Sequence, residues 1–408
     1  METAPGSRFA RCPLVILAAQ NFGEGVATMR MAKRLSAVFV SVLVVAHAAA
    51  ASRPMQANAT QSGLFLDGFF PIGVWVPPSS DYQKWKSRGA NTMVGIGFDL
   101  EGSIAQANSL GLHMIREPRP HPADDANEAL LLAWAQPDEP DGIYSQVPYT
   151  DIQNQYQAWK GVAADRAVFI NFVGGLNQYD LHTGESGDPW YRKYAQGADW
   201  ISADRYPVND GDQDNLGLIG QMVDHLKSIA GEKPVFAFIE TSNFDTTDTT
   251  RGPTPAEVRA EVWEAIIHGA RGLSYFPEQV TPSFEWDTTP ADVASELTQQ
   301  DALITRLADV LQGALDPPGF SATAAAPIEL ARRSAADGNY VFALNLSATA
   351  HSGRTISVGG IGAAATATVY GEARVLPIVA GVITDDFGPY AVHIYVMGGD
   401  RIFQDGFE

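Results

Sequence analysis

The chain has 408 residues, 45% hydrophobic and 18% charged, the balance of a folded protein of one large domain or two rather than of a disordered one. Its 27 Lys and Arg against 47 Asp and Glu give a formal net charge of -20. Such a field repels phosphate backbones and anionic lipid, which excludes nucleic acid and a membrane surface as natural partners.

The segment from Met31, "MAKRLSAVFVSVLVVAHAAAASRP", places Lys33 and Arg34 before an apolar run and small residues around Ala48 to Ala51. That order is the signature of a secretory signal peptide over about residues 31–51, too short and wrongly flanked for a membrane anchor. Residues 1–30 before it point to an upstream start assigned in error, with Met29 or Met31 the true one. The sole cysteine, Cys12, is then lost on maturation, and disulfides, a thiol nucleophile and a Cys-ligated metal go with it. A secreted or periplasmic product is expected.

From Phe70 short apolar runs alternate with helical stretches, the pattern of βα units on a parallel sheet. The expected strands are "FPIGVWV" from Phe70, "TMVGIGF" from Thr92, "HMIRE" from His113, "LLAWAQ" from Leu131, "AVFINFV" from Ala167, "WISADRYP" from Trp200, "PVFAFIET" from Pro234 and "GLSYFPE" from Gly272. Eight of them within residues 65–316 predict a (β/α)8 TIM barrel. Thr254, Pro255 and Glu257 predict a capping box with proline at the first helical position, followed by the amphipathic series Val258, Val262, Trp263, Ile266 and Ile267. Thr289, Pro290 and Asp292 open a last helix carrying Leu297, Ile304, Leu307 and Leu311. After "LDPPGF" the composition turns to Ala, Thr, Val and Gly, and alternation of Tyr340, Phe342 and Leu344 behind the Asp337-Gly338 turn predicts a small antiparallel β-sandwich over 320–400. Val392, Ile394 and Val396 belong to its last strand, and residues 401–408 form a tail.

Residues 131–142, "LLAWAQPDEPDG", end an apolar strand in a crowd of carboxylates. In a β/α barrel the chemistry sits at the C-terminal ends of the strands, where Glu139 follows strand four and Glu240 ends strand seven. Two carboxylates facing one another across a cleft are what glycoside hydrolysis requires: a protonated acid for the leaving oxygen and an ionised partner for the anomeric carbon.

With these residues the chain resembles the clan A glycoside hydrolases over about residues 65–315. The resemblance implies that Glu139 in "WAQPDEPD" is the acid/base, Glu240 in "PVFAFIETS" the nucleophile, and Tyr206 in "SADRYPV" the tyrosine that holds the nucleophile. "HGARGLSYFP" resembles the entry to strand eight of such barrels, and a C-terminal sandwich is common among them. The sequence departs from the pattern at Asp138, where an asparagine usually binds the sugar 2-hydroxyl. An aspartate accepts that proton but cannot donate, and its charge raises the pKa of Glu139. This suits a general acid or marks a branch with different chemistry.

Trp75, Arg116, Asn171, Asp204, Tyr275 and Glu278 also end strands and are candidate liners of a sugar site, with Trp286 in the segment after strand eight as a further subsite. Trp134, inside strand four, reads as core. "DGDQD" from Asp210 has the alternating acids of a calcium loop, yet Asn215 and Gln221 stand where its glycine and glutamate belong, so a solvated loop is the better reading. No His-x-His or His-Glu-x-x-His pair offers a zinc site and no Gly-x-Ser-x-Gly an acyl nucleophile. The expected protein is a retaining glycosidase acting on an oligo- or polysaccharide without cofactor or metal. The alternatives are a secreted carbohydrate-binding barrel without turnover and a metal-dependent barrel enzyme.

Overall fold

Eight short strands pair in sequence order and close on themselves, β1 (Ile72–Trp75) joining β8 (Gly272–Phe276). Between them lie β2 (Thr92–Val94), β3 (His113–Arg116), β4 (Leu131–Ala135), β5 (Ala167–Phe172), β6 (Trp200–Ala203) and β7 (Val235–Glu240), all parallel. This is the TIM barrel expected from the alternation, with all eight strands found where the apolar runs lie. The coordinates are a computed structural model that describes residues 68–398, apart from Phe98, Ser145 and Asp248. The expected signal segment, Cys12 and the tail lie outside the described residues.

Alternation within each strand sorts its side chains into two layers. Phe236 and Phe238 of β7 join Val94, Ile115, Ala133, Phe169 and Trp200 inside the barrel. Val235, Ala237 and Ile239 face the surrounding helices. Those helices are α1 (Tyr82–Arg88), α2 (Leu100–Leu110), α3 (Tyr149–Val162), α4 (Gly187–Ala195), α5 (Leu218–Ala230), α6 (Pro255–Ile267) and α7 (Ala291–Arg306), with a short α8 (Ala308–Leu311) after them. Between β3 and β4 a 3-10 turn, Pro122–Asp125, takes the place of a helix.

Helix α6 starts as expected: the Thr254 hydroxyl accepts from the Glu257 amide, and the Glu257 carboxylate accepts from the Thr254 amide. The start of α7 differs. Pro290 stands at its N-cap without a side-chain cap, because the Thr289 hydroxyl is engaged with Thr241 at 3.0 Å.

Beyond the barrel lie β9 (Ser321–Ala324), β10 (Ile328–Ala335), β11 (Gly338–Asn345), β12 (His351–Gly359), β13 (Thr366–Val369), β14 (Arg374–Pro377), β15 (Val382–Phe387) and β16 (Val392–Met397). They form a five-stranded antiparallel sheet, β10-β11-β16-β13-β14, and a three-stranded one, β15-β12-β9. Val341, Ala343, Tyr395 and Met397 pack against Ile356, Ile383 and Phe387 to make the core between the sheets. The residues that advertised these strands, Tyr340, Phe342, Leu344, Ile394 and Val396, instead face the barrel, where Phe342 stacks on Trp263 of α6 at 5.8 Å. The larger sheet is therefore buried on both faces.

Candidate active site

After β4 the chain is anchored by Gln136, whose side-chain amide donates to the carbonyls of Ile152 and Gly197 at 3.1 and 2.8 Å. The next residues bend out over the C-terminal mouth of the barrel. Glu139 adopts φ +44°, a left-handed conformation that L residues pay for with roughly 1–3 kcal/mol of strain. Its amide donates to the Asn171 carbonyl at 3.1 Å and its carbonyl accepts from the Gly142 amide at 2.8 Å, so the turn is held from both sides. Non-glycine strain of this kind concentrates at functional positions.

The carboxyl of Glu139 is half-buried. Burial and the Asp141 charge push it up to about 7, against a hydrogen bond from Asp204 that works the other way. Asn171 organises the surroundings. Its amide nitrogen donates to Asp138 at 3.0 Å and to Asp204 at 2.7 Å, and its oxygen accepts from the Ser202 hydroxyl at 2.7 Å. Enclosure and the charges of Glu139 and Asp138 hold Asp204 well above the usual carboxylate range. Asp138 itself is exposed at the rim; crowding by the protein and the neighbouring Glu139 charge raise it as well. Asp141 is buried below the turn and braces it, accepting from the Val173 amide at 3.1 Å and the Tyr191 hydroxyl at 3.0 Å.

Glu278, two residues past β8, completes this set. It is fully buried, neither carboxyl oxygen has a hydrogen-bond partner, and burial together with the Asp138 charge pushes it up to about 8. Glu278, Asp138, Glu139, Asp204 and Asn171 thus form one interacting group at the mouth. Beside it lies a cavity of about 340 Å³, lined in part by Glu117, Arg119, Pro137, Gln155 and Trp159. It sits where the missing helix after β3 leaves room.

Glu240 occupies the end of β7, as the sequence indicated, but in a second cluster. It has no exposed surface. One carboxylate oxygen accepts from the Val208 amide at 2.7 Å, and the other from the Asn209 amide at 2.8 Å and the Asn209 side chain. Burial raises its carboxyl to about 7 against these donors. Glu261 is fully buried with neither carboxyl oxygen hydrogen-bonded, and burial and the Glu240 charge raise it well above its usual range. Tyr206 is half-buried, edge-on to Phe244 at 4.9 Å and tilted against Phe276 at 5.3 Å.

Two expected sugar contacts are corrected. Arg116 and Tyr275 end strands, but alternation turns both outward, and each is fully buried. Arg116 grips Asp125 with two guanidinium nitrogens, at 3.2 and 2.7 Å. Tyr275 stacks on Trp85 and donates its hydroxyl to Asp301 of α7. Trp75 does belong to the inner layer, edge-on to Phe238 at 5.5 Å. Trp286 is half-buried against Phe284 in the β8–α7 segment, which Asp287 ties to Lys84 and Arg88 of α1. Trp134 is core, as expected. In "DGDQD" Asp210 and Asp212 pair with Arg205 at 3.1 and 3.0 Å, which fits a solvated loop. Glu261 and Asn209 escaped the sequence reading, although a glutamate amid Val258, Val262 and Trp263 on an amphipathic helix is the kind of misplaced charge that marks a site.

Residues 143–282 match the glycoside hydrolase family 42 β-galactosidase model, a stretch that contains Glu240 and begins just after Glu139. No curated protein sequence matches the chain. Among solved structures it is similar to Gan42B, a GH42 β-galactosidase, at 9% identity and a TM-score of 0.57, covering 81% of this chain and 98% of that one. The catalytic mutant of Gan42B from G. stearothermophilus gives 9% identity and 0.53, with 82% and 99% covered. AmyP in complex with maltose gives 9% and 0.48, with 78% and 88% covered. At such identities the structural likeness speaks to the fold alone. Barrel, rim carboxylates and family match together make the chain a TIM-barrel protein similar to the family 42 glycoside hydrolases over residues 143–282.

Proposed function

We propose that the protein is an exported retaining glycosidase that cleaves by double displacement, with Glu139 as acid/base and Glu240 as nucleophile. The observation that carries this reading is the half-open Glu139 at the end of β4, held near neutrality by its surroundings. A carboxyl with a pKa near the working pH is protonated often enough to give its proton to the glycosidic oxygen and ionised often enough to activate water afterwards. Glu240 attacks the anomeric carbon, and the glycosyl-enzyme is then hydrolysed. Attack requires one Glu240 oxygen to leave the Val208 or Asn209 amide it accepts from, and the retaining geometry needs the two carboxyls about 5–5.5 Å apart in the complex. The family match makes a β-galactoside the first substrate class to test, and the cavity beside Glu117 and Trp159 suits a neighbouring sugar unit. Export rests on the basic, apolar and small-residue order of residues 31–51.

A second reading is favoured by one specific observation: Glu278 is buried, lacks a partner and interacts with Asp138, so it, rather than Glu240, is the carboxyl opposing the β4 acid. Trapping with a 2-deoxy-2-fluoro β-galactosyl fluoride and mapping the labelled peptide separates the two. Label on Glu240 supports the first reading and label on Glu278 the second. Turnover of aryl β-galactoside with inversion and no trapped label refutes double displacement. Sugar binding with no turnover on any glycoside panel leaves the carbohydrate-binding barrel.

A further inference from the structure

At the end of α6 remote from the barrel mouth, Glu264 and His268 lie one turn apart and meet Glu329 of β10 in the sandwich. We infer that these three residues form a binding site for a divalent transition-metal ion, zinc above all, that clamps the sandwich to the barrel. The ligand atoms, one from each residue, all lie within 4.8 Å of one another. His268 Nε2 is 3.4 Å from Glu264 Oε1 and 3.4 Å from Glu329 Oε2. Zinc holds nitrogen and oxygen ligands at about 2.0–2.2 Å in a tetrahedron, which sets ligand atoms about 3.3–3.5 Å apart. The two edges from His268 Nε2 to the glutamates have that length. It is long for a charge-assisted hydrogen bond, and Nε2 makes none.

Three further features point to a cation. His268 Nδ1 lies 2.8 Å from Asp224 Oδ2; Nδ1–H donating there leaves Nε2 with a free lone pair, the carboxylate–histidine–metal relay found behind zinc ligands. Lys227 donates to Asp224 at 3.0 Å and to the His268 carbonyl at 2.8 Å, so the outer carboxylate is already balanced and held in place. Glu264 is 1% exposed and its Oε2 has no hydrogen-bond partner, a buried carboxylate oxygen that a cation would satisfy. Gly220 of α5 closes the site from the third side. A Cβ there would come within 2.6 Å of His268 Nε2 and closer still to Glu264, so any larger residue would press on the ligand atoms.

The site lies away from the mouth and bridges two parts of the fold, so its role is structural. The test is zinc binding by the full chain stripped of metal, with stoichiometry measured after desalting and thermal unfolding followed with and without zinc. One retained zinc per chain and a raised unfolding midpoint are expected. Both should be lost in His268→Ala, and zinc affinity should fall tenfold or more in Glu329→Gln, a half-exposed side chain at the edge of the site. No stoichiometric zinc in the wild type overturns the inference. Zinc binding by Glu329→Gln and His268→Ala equal to that of the wild type overturns it too and leaves an ion-pair hub centred on His268.

Discussion

Replacing Glu278 with glutamine tests whether the mouth holds a carboxyl that is neutral at physiological pH. Burial and Asp138 raise Glu278 from its ordinary 4.5 to about 8. A folded-state pKa above the unfolded one gives stability that is fully present below about pH 4.5 and is lost progressively as pH rises toward about 8. At about pH 7 the unfolded chain ionises this group freely while the fold keeps it protonated, a handicap of ~3 kcal/mol at 1.36 kcal/mol per pKa unit. Glutamine keeps the volume and removes the titration. Its buried amide leaves unpaired donors at a cost of ~1–3 kcal/mol that does not vary with pH, so the slope rather than the offset is the readout. Denaturant unfolding of both proteins between about pH 4 and pH 8 should show the variant gaining on the wild type by ~3 kcal/mol from pH 4.5 to 7. The gain should shrink when Asp138→Asn removes the neighbouring charge. A stability difference that is flat with pH would refute the reasoning and put Glu278 among ordinary solvated acids.

The raised Glu139, at about 7, predicts an alkaline limb: kcat/KM on a glycoside with a poor leaving group should fall about tenfold per pH unit above neutrality, and a profile flat to pH 9 would dismiss Glu139 as the acid. Glu139→Ala should lose far more activity on poor leaving groups than on activated aryl glycosides, and added azide should restore turnover of the latter as a glycosyl azide of retained configuration. Asp125→Asn should destabilise the barrel by ~3–5 kcal/mol, because it removes the nearer carboxylate from the fully buried Arg116 and leaves only Glu128 at 3.5 Å, while KM of the folded fraction stays unchanged. Thr254→Ala should cost about 1 kcal/mol through loss of the α6 cap, read as a lower urea midpoint with unaltered kcat.

Much of this architecture is written in local pattern. The eight apolar runs, the capping box at Thr254 and the crowding of carboxylates after Ala135 are local signals, and each lies where the barrel uses it. What the sequence hid depends on direction. Arg116 and Tyr275 occupy strand ends, yet a residue's parity along a three- to five-residue strand decides whether it faces the mouth or the helices, and both fall on the outer face beside Met114 and Leu273. The same parity sends Tyr340 and Phe342 to the barrel instead of the sandwich core, because the larger sheet has two apolar faces to satisfy. Long-range partners were equally hidden. Glu261 and Asn209 meet Glu240 from α6 and from the segment after β6, and Glu329 reaches His268 across 61 residues of chain.

If the rim carboxylates hydrolyse glycosides, Glu139 is the acid that starts the reaction. Turnover of an aryl β-galactoside panel by the protein, beside Glu139→Gln, is the decisive measurement. Wild-type hydrolysis is expected, reduced by orders of magnitude in Glu139→Gln on poor leaving groups while the folded structure is retained. Undiminished hydrolysis by Glu139→Gln would contradict it.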